Sequence, residues 1–146
     1  MNAVFLDTSA WLASVDPRQA QHADAQEERL ALVASGDRLV TTHLVVAELH
    51  AMVTRDRGPR AGLQLLDEID ADPRYTVLAV DLGLHEAAVD HWLRVFRDQP
   101  FSLCDAVSFE VMRREHIARA FTLDQHFAVA GYEVLPAPRR RAAPRR

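Results

Sequence analysis

Short apolar runs alternate along this chain with longer stretches in which apolar residues return at helical spacing. Ala3-Val4-Phe5-Leu6 has the length and character of a buried strand, and Asp7-Thr8-Ser9 after it can cap a helix beginning near Ala10. A helix is predicted from about Gln19 to Ala34, with Asp24, Glu27, Glu28 and Arg29 on its polar face and Ser35-Gly36-Asp37 as its stop. Arg38-Leu39-Val40-Thr41 reads as a second strand. Thr42 then caps a helix from His43 to about Arg57, which Gly58-Pro59 breaks.

A further helix fits Arg60 to Ala71 and closes at Asp72-Pro73, before a third strand over Tyr75-Thr76-Val77-Leu78-Ala79-Val80. One long helix is predicted from about Leu84 to Arg97, and another opens at Ser102. Arg119-Ala120-Phe121-Thr122 makes a fourth strand, a short helix starts at Gln125, and Tyr132-Glu133-Val134-Leu135 fits a fifth. Strands alternating with helices imply an α/β fold whose mostly parallel sheet of four to five strands is covered on both faces.

Composition narrows the chemistry. The 146 residues suffice for one core and not for two ordinary domains. The single Cys104 excludes an internal disulfide and a cysteine-based zinc cluster. All 17 basic residues are arginine, so a Walker A loop, a Schiff base and lysine-dependent phosphoaspartate chemistry each lack an essential group. Residues 1–135 hold 12 arginines against 21 acids, formally −9, whereas 136–146 hold 5 arginines and no acid. That separates a folded unit, 1–135, from a basic tail, 136–146, expected to be disordered for want of apolar residues. No secretory leader pattern or membrane-length apolar run is visible, and a cytoplasmic protein without membrane contact is expected.

Four carboxylates lie in apolar surroundings: Asp7, Glu48, Asp105 and Asp124. Asp7 and Asp124 follow the first and fourth strands, where open parallel sheets collect ligands, although aspartate there equally suits a helix N-cap. On the helical wheel Glu48 lies between Leu44 and Met52, which places it on the core face. Asp105 stands three residues after Ser102, a capping-box spacing compatible with a second role. Unpaired buried carboxylates are costly, so four that converge call for a cation, and oxygen donors alone select Mg²⁺ or Mn²⁺. Phosphodiester hydrolysis is the chemistry such sites usually serve.

With these residues in place the chain resembles the PIN-domain ribonucleases, and among them the VapC-type toxins of bacterial toxin-antitoxin pairs. The resemblance rests on Val4-Phe5-Leu6-Asp7-Thr8-Ser9, Val45-Val46-Ala47-Glu48-Leu49, Ser102-Leu103-Cys104-Asp105-Ala106 and Thr122-Leu123-Asp124-Gln125-His126-Phe127, in that order and spacing. It implies a three-layer α/β/α fold and metal-dependent endoribonucleolytic cleavage of structured RNA, a transfer or ribosomal RNA. Asp7, Glu48, Asp105 and Asp124 would hold Mg²⁺ or Mn²⁺, directly or through water, and Ser9 and Thr122 would orient the aspartates. A homodimer and a neutralising cognate antitoxin are implied as partners. Some relatives carry an acid where this chain has His126, a residue near the proposed site that is expected on a solvated loop ahead of the alternative, contact with substrate phosphate. Cys104 is expected to be a small buried hydrophobe. The competing reading is a noncatalytic PIN-fold module that binds RNA or protein. A haloacid-dehalogenase-like phosphatase or receiver domain is disfavoured by the lack of lysine and of an acid at Ser9.

Overall fold

In a computed structural model, which describes residues 2–139, the apolar runs become five strands. They are β1 (Ala3–Leu6), β2 (Arg38–Thr42), β3 (Tyr75–Leu78), β4 (Arg119–Phe121) and β5 (Glu133–Leu135). Every pairing is parallel and the order is β3-β2-β1-β4-β5. Register assigns the faces. Phe5 aligns with Val40 and Ala120, whereas Val4 aligns with Leu39, which in turn aligns with Tyr75.

Helices cover both faces. They are α1 (Thr8–Val15), α2 (His22–Ser35), α3 (His43–Arg57), α4 (Pro59–Ala71), α5 (Leu82–Ala88), α6 (Leu103–Arg114) and α7 (His126–Val129). On one face Phe5 meets Phe127 of α7, which packs edge-on against Phe109 of α6 at 4.9 Å. On the other, Trp11 of α1 stacks on Tyr75 at 5.4 Å. Phe5, Phe109, Phe121 and Phe127 are wholly buried, each worth about 1.5–3 kcal/mol of transfer free energy. The expected α/β/α layering is the one observed.

Local chemistry explains most element ends. Gly58 joins α3 to α4 at φ 91°, a value that favours glycine, and Pro59 then starts α4 at the position where its missing N–H costs nothing. Gly62 lets α4 lie close on α3, because a Cβ there would run into the Thr54 hydroxyl.

Two elements depart most from expectation. The helix expected from Gln19 starts at His22, because Pro17 and the Asp16–Arg18 pair hold a turn in which Asp16 Oδ1 accepts the Arg18 N–H at 3.0 Å. The long helix expected to reach Arg97 begins earlier, at Leu82, where Asp81 accepts the Leu84 N–H at 2.8 Å, and it does not stay α-helical. Val89–Leu93 widens into a π-helical turn, closed by Arg94 N–H donating to Val89 O at 3.0 Å. This turn seats Trp92 between Phe96 and Phe109.

Of the tail expected to be disordered, 140–146 lie outside the described residues. Residues 136–139 lie against α2 and the loop after β4, and Arg139 pairs with Asp24. Among the described residues no helix is long and apolar enough to cross a membrane.

Candidate metal centre at the carboxyl edge of the sheet

The chain leaves β1 towards β2 on one side and leaves β4 towards β5 on the other, so a crevice opens between these adjacent central strands at their carboxyl ends. Asp7 follows β1 directly and Asp124 follows β4. Helix α6 brings Asp105 and α3 brings Glu48. All four acids line one cleft of about 420 Å³. Among the described residues no arginine lines it, and His126 is the only lining side chain able to carry positive charge.

Asp7 occupies the N-cap position of α1 yet makes no side-chain capping bond, so its capping role is not the one realised. Instead Oδ2 accepts hydrogen bonds from Ser9 Oγ at 2.8 Å and Thr122 Oγ1 at 2.8 Å. Those hydroxyls in turn accept the Leu123 N–H at 2.9 Å and the Asp124 N–H at 3.0 Å. Each hydroxyl has one proton, and both protons go to Asp7; the 3.3 Å Ser9–Thr122 contact is therefore mere proximity. Burial pushes the Asp7 carboxyl above its ordinary range, and the two hydroxyls only partly offset this.

Asp105 does two jobs. Its Oδ2 accepts the Ser102 N–H at 3.0 Å while Ser102 Oγ accepts the Asp105 N–H at 3.0 Å, a complete capping box. The same Oδ2 lies 3.0 Å from His126 Nδ1. Asp124 Oδ1 accepts the His126 N–H at 2.9 Å and lies 3.5 Å from His126 Nδ1. Oδ1 of Asp105 and Oδ2 of Asp124 have no hydrogen-bond partner among the described residues. Donor atoms of Asp105, Asp124 and His126 all fall within 4.8 Å of one another.

Glu48 corrects the wheel argument. It is exposed, and the buried stripe of α3 is Val45, Val46, Leu49 and Val53. Met52, one turn on, walls the cleft beside Glu48, and Leu44, one turn before, is itself exposed, so these apolar neighbours do not mark the core. The premise of four buried acids holds for Asp7 and Asp105, whereas Asp124 is half-buried. His126 lies near the site as expected, but as part of the cleft and not as a solvated loop side chain. Its ring packs edge-on against Phe101 at 5.4 Å and joins the acids instead of projecting to solvent. Its place two positions after Asp124 was the available signal.

Cys104 also lines the cleft, half-buried; burial, with the negative charge of Glu48, Asp7 and Asp105, pushes its thiol up to about 12. A thiol so held stays protonated and is no nucleophile at neutral pH. The donor set, oxygen-rich and strongly negative, fits a hard divalent cation.

A family model described as PIN domain matches residues 4–131. The 23S rRNA-specific endonuclease VapC20 of Mycobacterium tuberculosis is 33% identical over 135 residues, covering 91% of this chain and 98% of its own. Ribonuclease VapC26 of the same organism is 29% identical over 126 residues, covering 86% and 90%. The crystal structure of VapC20, described as a Sarcin-Ricin loop cleaving toxin, superposes with a TM-score of 0.77 at 31% identity, over 89% of this chain and 96% of that one. FitAcB from Neisseria gonorrhoeae superposes with a TM-score of 0.62 at 16% identity, over 90% and 95%, a likeness of fold.

Proposed function

The chain belongs to the PIN domain family, and from that membership and its acid-lined cleft we propose that it is a divalent-metal-dependent endoribonuclease acting as a VapC-like toxin. One observation carries the reading. Asp7, Glu48, Asp105 and Asp124, drawn from distant parts of the sequence, converge on one cleft that no arginine among the described residues lines. A binding module would gain nothing from that repulsion, whereas a cation site requires it.

Asp7, Asp105 and Asp124 would hold the ion from the floor of the cleft and Glu48 from its open wall, directly or through water. Bound Mg²⁺ or Mn²⁺ supplies charge neutralisation of the scissile phosphate and activation of the attacking water. Ser9 and Thr122 fix the Asp7 carboxylate by two hydrogen bonds, so its second oxygen is oriented before any ligand arrives. The Ser102 N–H fixes Asp105 in the same way.

The substrate we assign is structured RNA, a ribosomal RNA loop or a transfer RNA, and the first of these is favoured by VapC20, whose name specifies 23S rRNA. A cognate antitoxin and a homodimer complete the reading; large apolar side chains left exposed, among them Leu63 and Leu82, support a partner surface. Residues 1–135 form the nuclease unit and 136–146 a basic extension in this proposal.

The test is cleavage of total cellular RNA by antitoxin-free protein with Mg²⁺, Mn²⁺ or EDTA, beside Asp7→Asn and Asp105→Asn. Discrete, metal-dependent products absent from both variants are expected. RNA left intact with either ion would favour the noncatalytic PIN-fold binding module.

A further inference from the structure

We propose that His126 is a nitrogen ligand of the metal centre and biases it towards Mn²⁺ over Mg²⁺. The inference rests on the metal-site reading above and deepens it.

The geometry of the imidazole carries the argument. His126 Nδ1 lies 3.0 Å from Asp105 Oδ2 and 3.5 Å from Asp124 Oδ1. Neighbouring ligands around an octahedral ion with bonds of about 2.1 Å sit about 3 Å apart. His126 Nδ1 is therefore already spaced from each of the two carboxylate oxygens like an adjacent ligand of one ion. A solvated loop histidine would not be held this way. Both backbone and ring are held: the His126 backbone N–H donates to Asp124 Oδ1 at 2.9 Å, and Phe101 packs against the ring at 5.4 Å. In the Nε2–H tautomer Nδ1 presents a lone pair to the space between the two carboxylates.

The consequence is selectivity. An acid at this position would add a fourth hard oxygen to the floor, the donor that Mg²⁺ prefers. Imidazole nitrogen suits transition metals, and affinity rises along the divalent series from Mn²⁺ onwards. Compared with an acid, the neutral His126 leaves the floor less negative and adds a donor that Mg²⁺ gains little from. Mn²⁺ is the ion of the pair that benefits.

The experiment is metal binding by the full chain, without RNA. Calorimetric titration with Mn²⁺ and with Mg²⁺ gives the ratio of affinities, and pulsed electron paramagnetic resonance of the Mn²⁺ complex reads nitrogen coordination directly. His126 is the only imidazole among the residues lining the cleft, so a ¹⁴N modulation is attributable to it. We expect that modulation in the wild type and its loss in His126→Asp, with the Mn²⁺ to Mg²⁺ preference falling on the order of tenfold. A Mn²⁺ complex without nitrogen modulation, or an unchanged preference in His126→Asp, would overturn the assignment while leaving the metal centre standing. Failure of the wild type to bind either ion would remove the centre and this assignment together. The wild-type spectrum decides the matter even if the variant does not fold.

Discussion

Helix α6 carries two carboxylates, Asp105 in its first turn and Glu110 near its middle, and the protein answers them in opposite ways. Glu110 is wholly buried, and four side chains donate to it: Arg113 at 2.7 Å, Arg114 at 3.0 Å, His91 at 3.1 Å and Trp92 at 3.2 Å. Burial alone would raise its pKa, but these donors outweigh burial and hold it at about 2. Asp105 shares its cleft with three other acids and meets no arginine there among the described residues. Burial of a carboxylate is thus no sign of function. Where the countercharge is built in, the acid holds the fold together; where it is left out, a bound cation would have to supply it.

Removing charge should separate the two regions most sharply at Asp7. Asp7→Asn and Asp105→Asn are each expected to cut RNA cleavage at least about a hundredfold, the order of loss found when charge stabilisation is removed from an active site. The same Asp7→Asn change should leave the metal-free melting temperature equal to or above that of the wild type. It discharges a group that burial destabilises, and the Asn carbonyl still accepts from Ser9 and Thr122. Mn²⁺ should raise the melting temperature of the wild type and not of the variant. If Asp7→Asn unfolds the protein, the aspartate belongs with Glu110 and the comparison collapses.

Glu110→Gln is the mirror image. Breaking a fully buried pair costs about 3–5 kcal/mol; because Arg113 and Arg114 are half exposed and recover solvent, roughly 2–3 kcal/mol is expected here. Denaturant unfolding measures it. Cleavage at a permissive temperature should stay within about threefold of wild type, since no group of the cleft is touched. A large loss of activity in a folded Glu110→Gln protein would show that the hub positions Asp105 along α6.

This contrast also bounds what the sequence could tell. The strands, the Gly58-Pro59 break and the Ser102 cap were legible because their signals are local: apolar runs, turn residues, a spacing of three. The four acids were legible through the order of their motifs. Their apolar surroundings were a weaker guide, since Glu110 between Phe109 and Val111 satisfies that criterion better than Glu48 does and lies outside the cleft. Arg113 and Arg114, three and four residues on, already marked Glu110 as a paired acid, whereas His91 and Trp92 reach it from a different element and were visible only in the fold. Glu48 was misplaced for a related reason: a helical wheel shows which residues share a face, not whether that face meets a core or a cleft. The π-helical turn at Val89–Leu93 has no signature in composition, because it is fixed by one shifted hydrogen bond.

The orienting hydroxyls probe the cleft more gently. Thr122→Val keeps the shape of the side chain and removes the donor to Asp7 Oδ2 and the acceptor for the Asp124 N–H. Metal affinity should fall about tenfold to a hundredfold, the range for residues that orient ligands, with about 1 kcal/mol of stability. Titration with Mn²⁺ checks the first and denaturant unfolding the second. Ser9→Ala should behave alike.

Acid is the mildest lever, and it acts on Glu110. The folded pKa of about 2 lies below the ordinary 4.5, so protons bind the unfolded chain first. A depressed carboxylate contributes stability that is complete above the unfolded value and is lost as pH falls through the folded one. The window is therefore pH 4.5 down to 2. Discounted for solvent around the half-exposed arginines, the loss is about 1 kcal/mol. Unfolding free energies at pH 5 and pH 3 should accordingly differ more in the wild type than in Glu110→Gln, which has no carboxyl there to protonate. Equal differences in the two proteins would mean that the arginines do not hold Glu110 charged, and the hub would then owe its stability to packing.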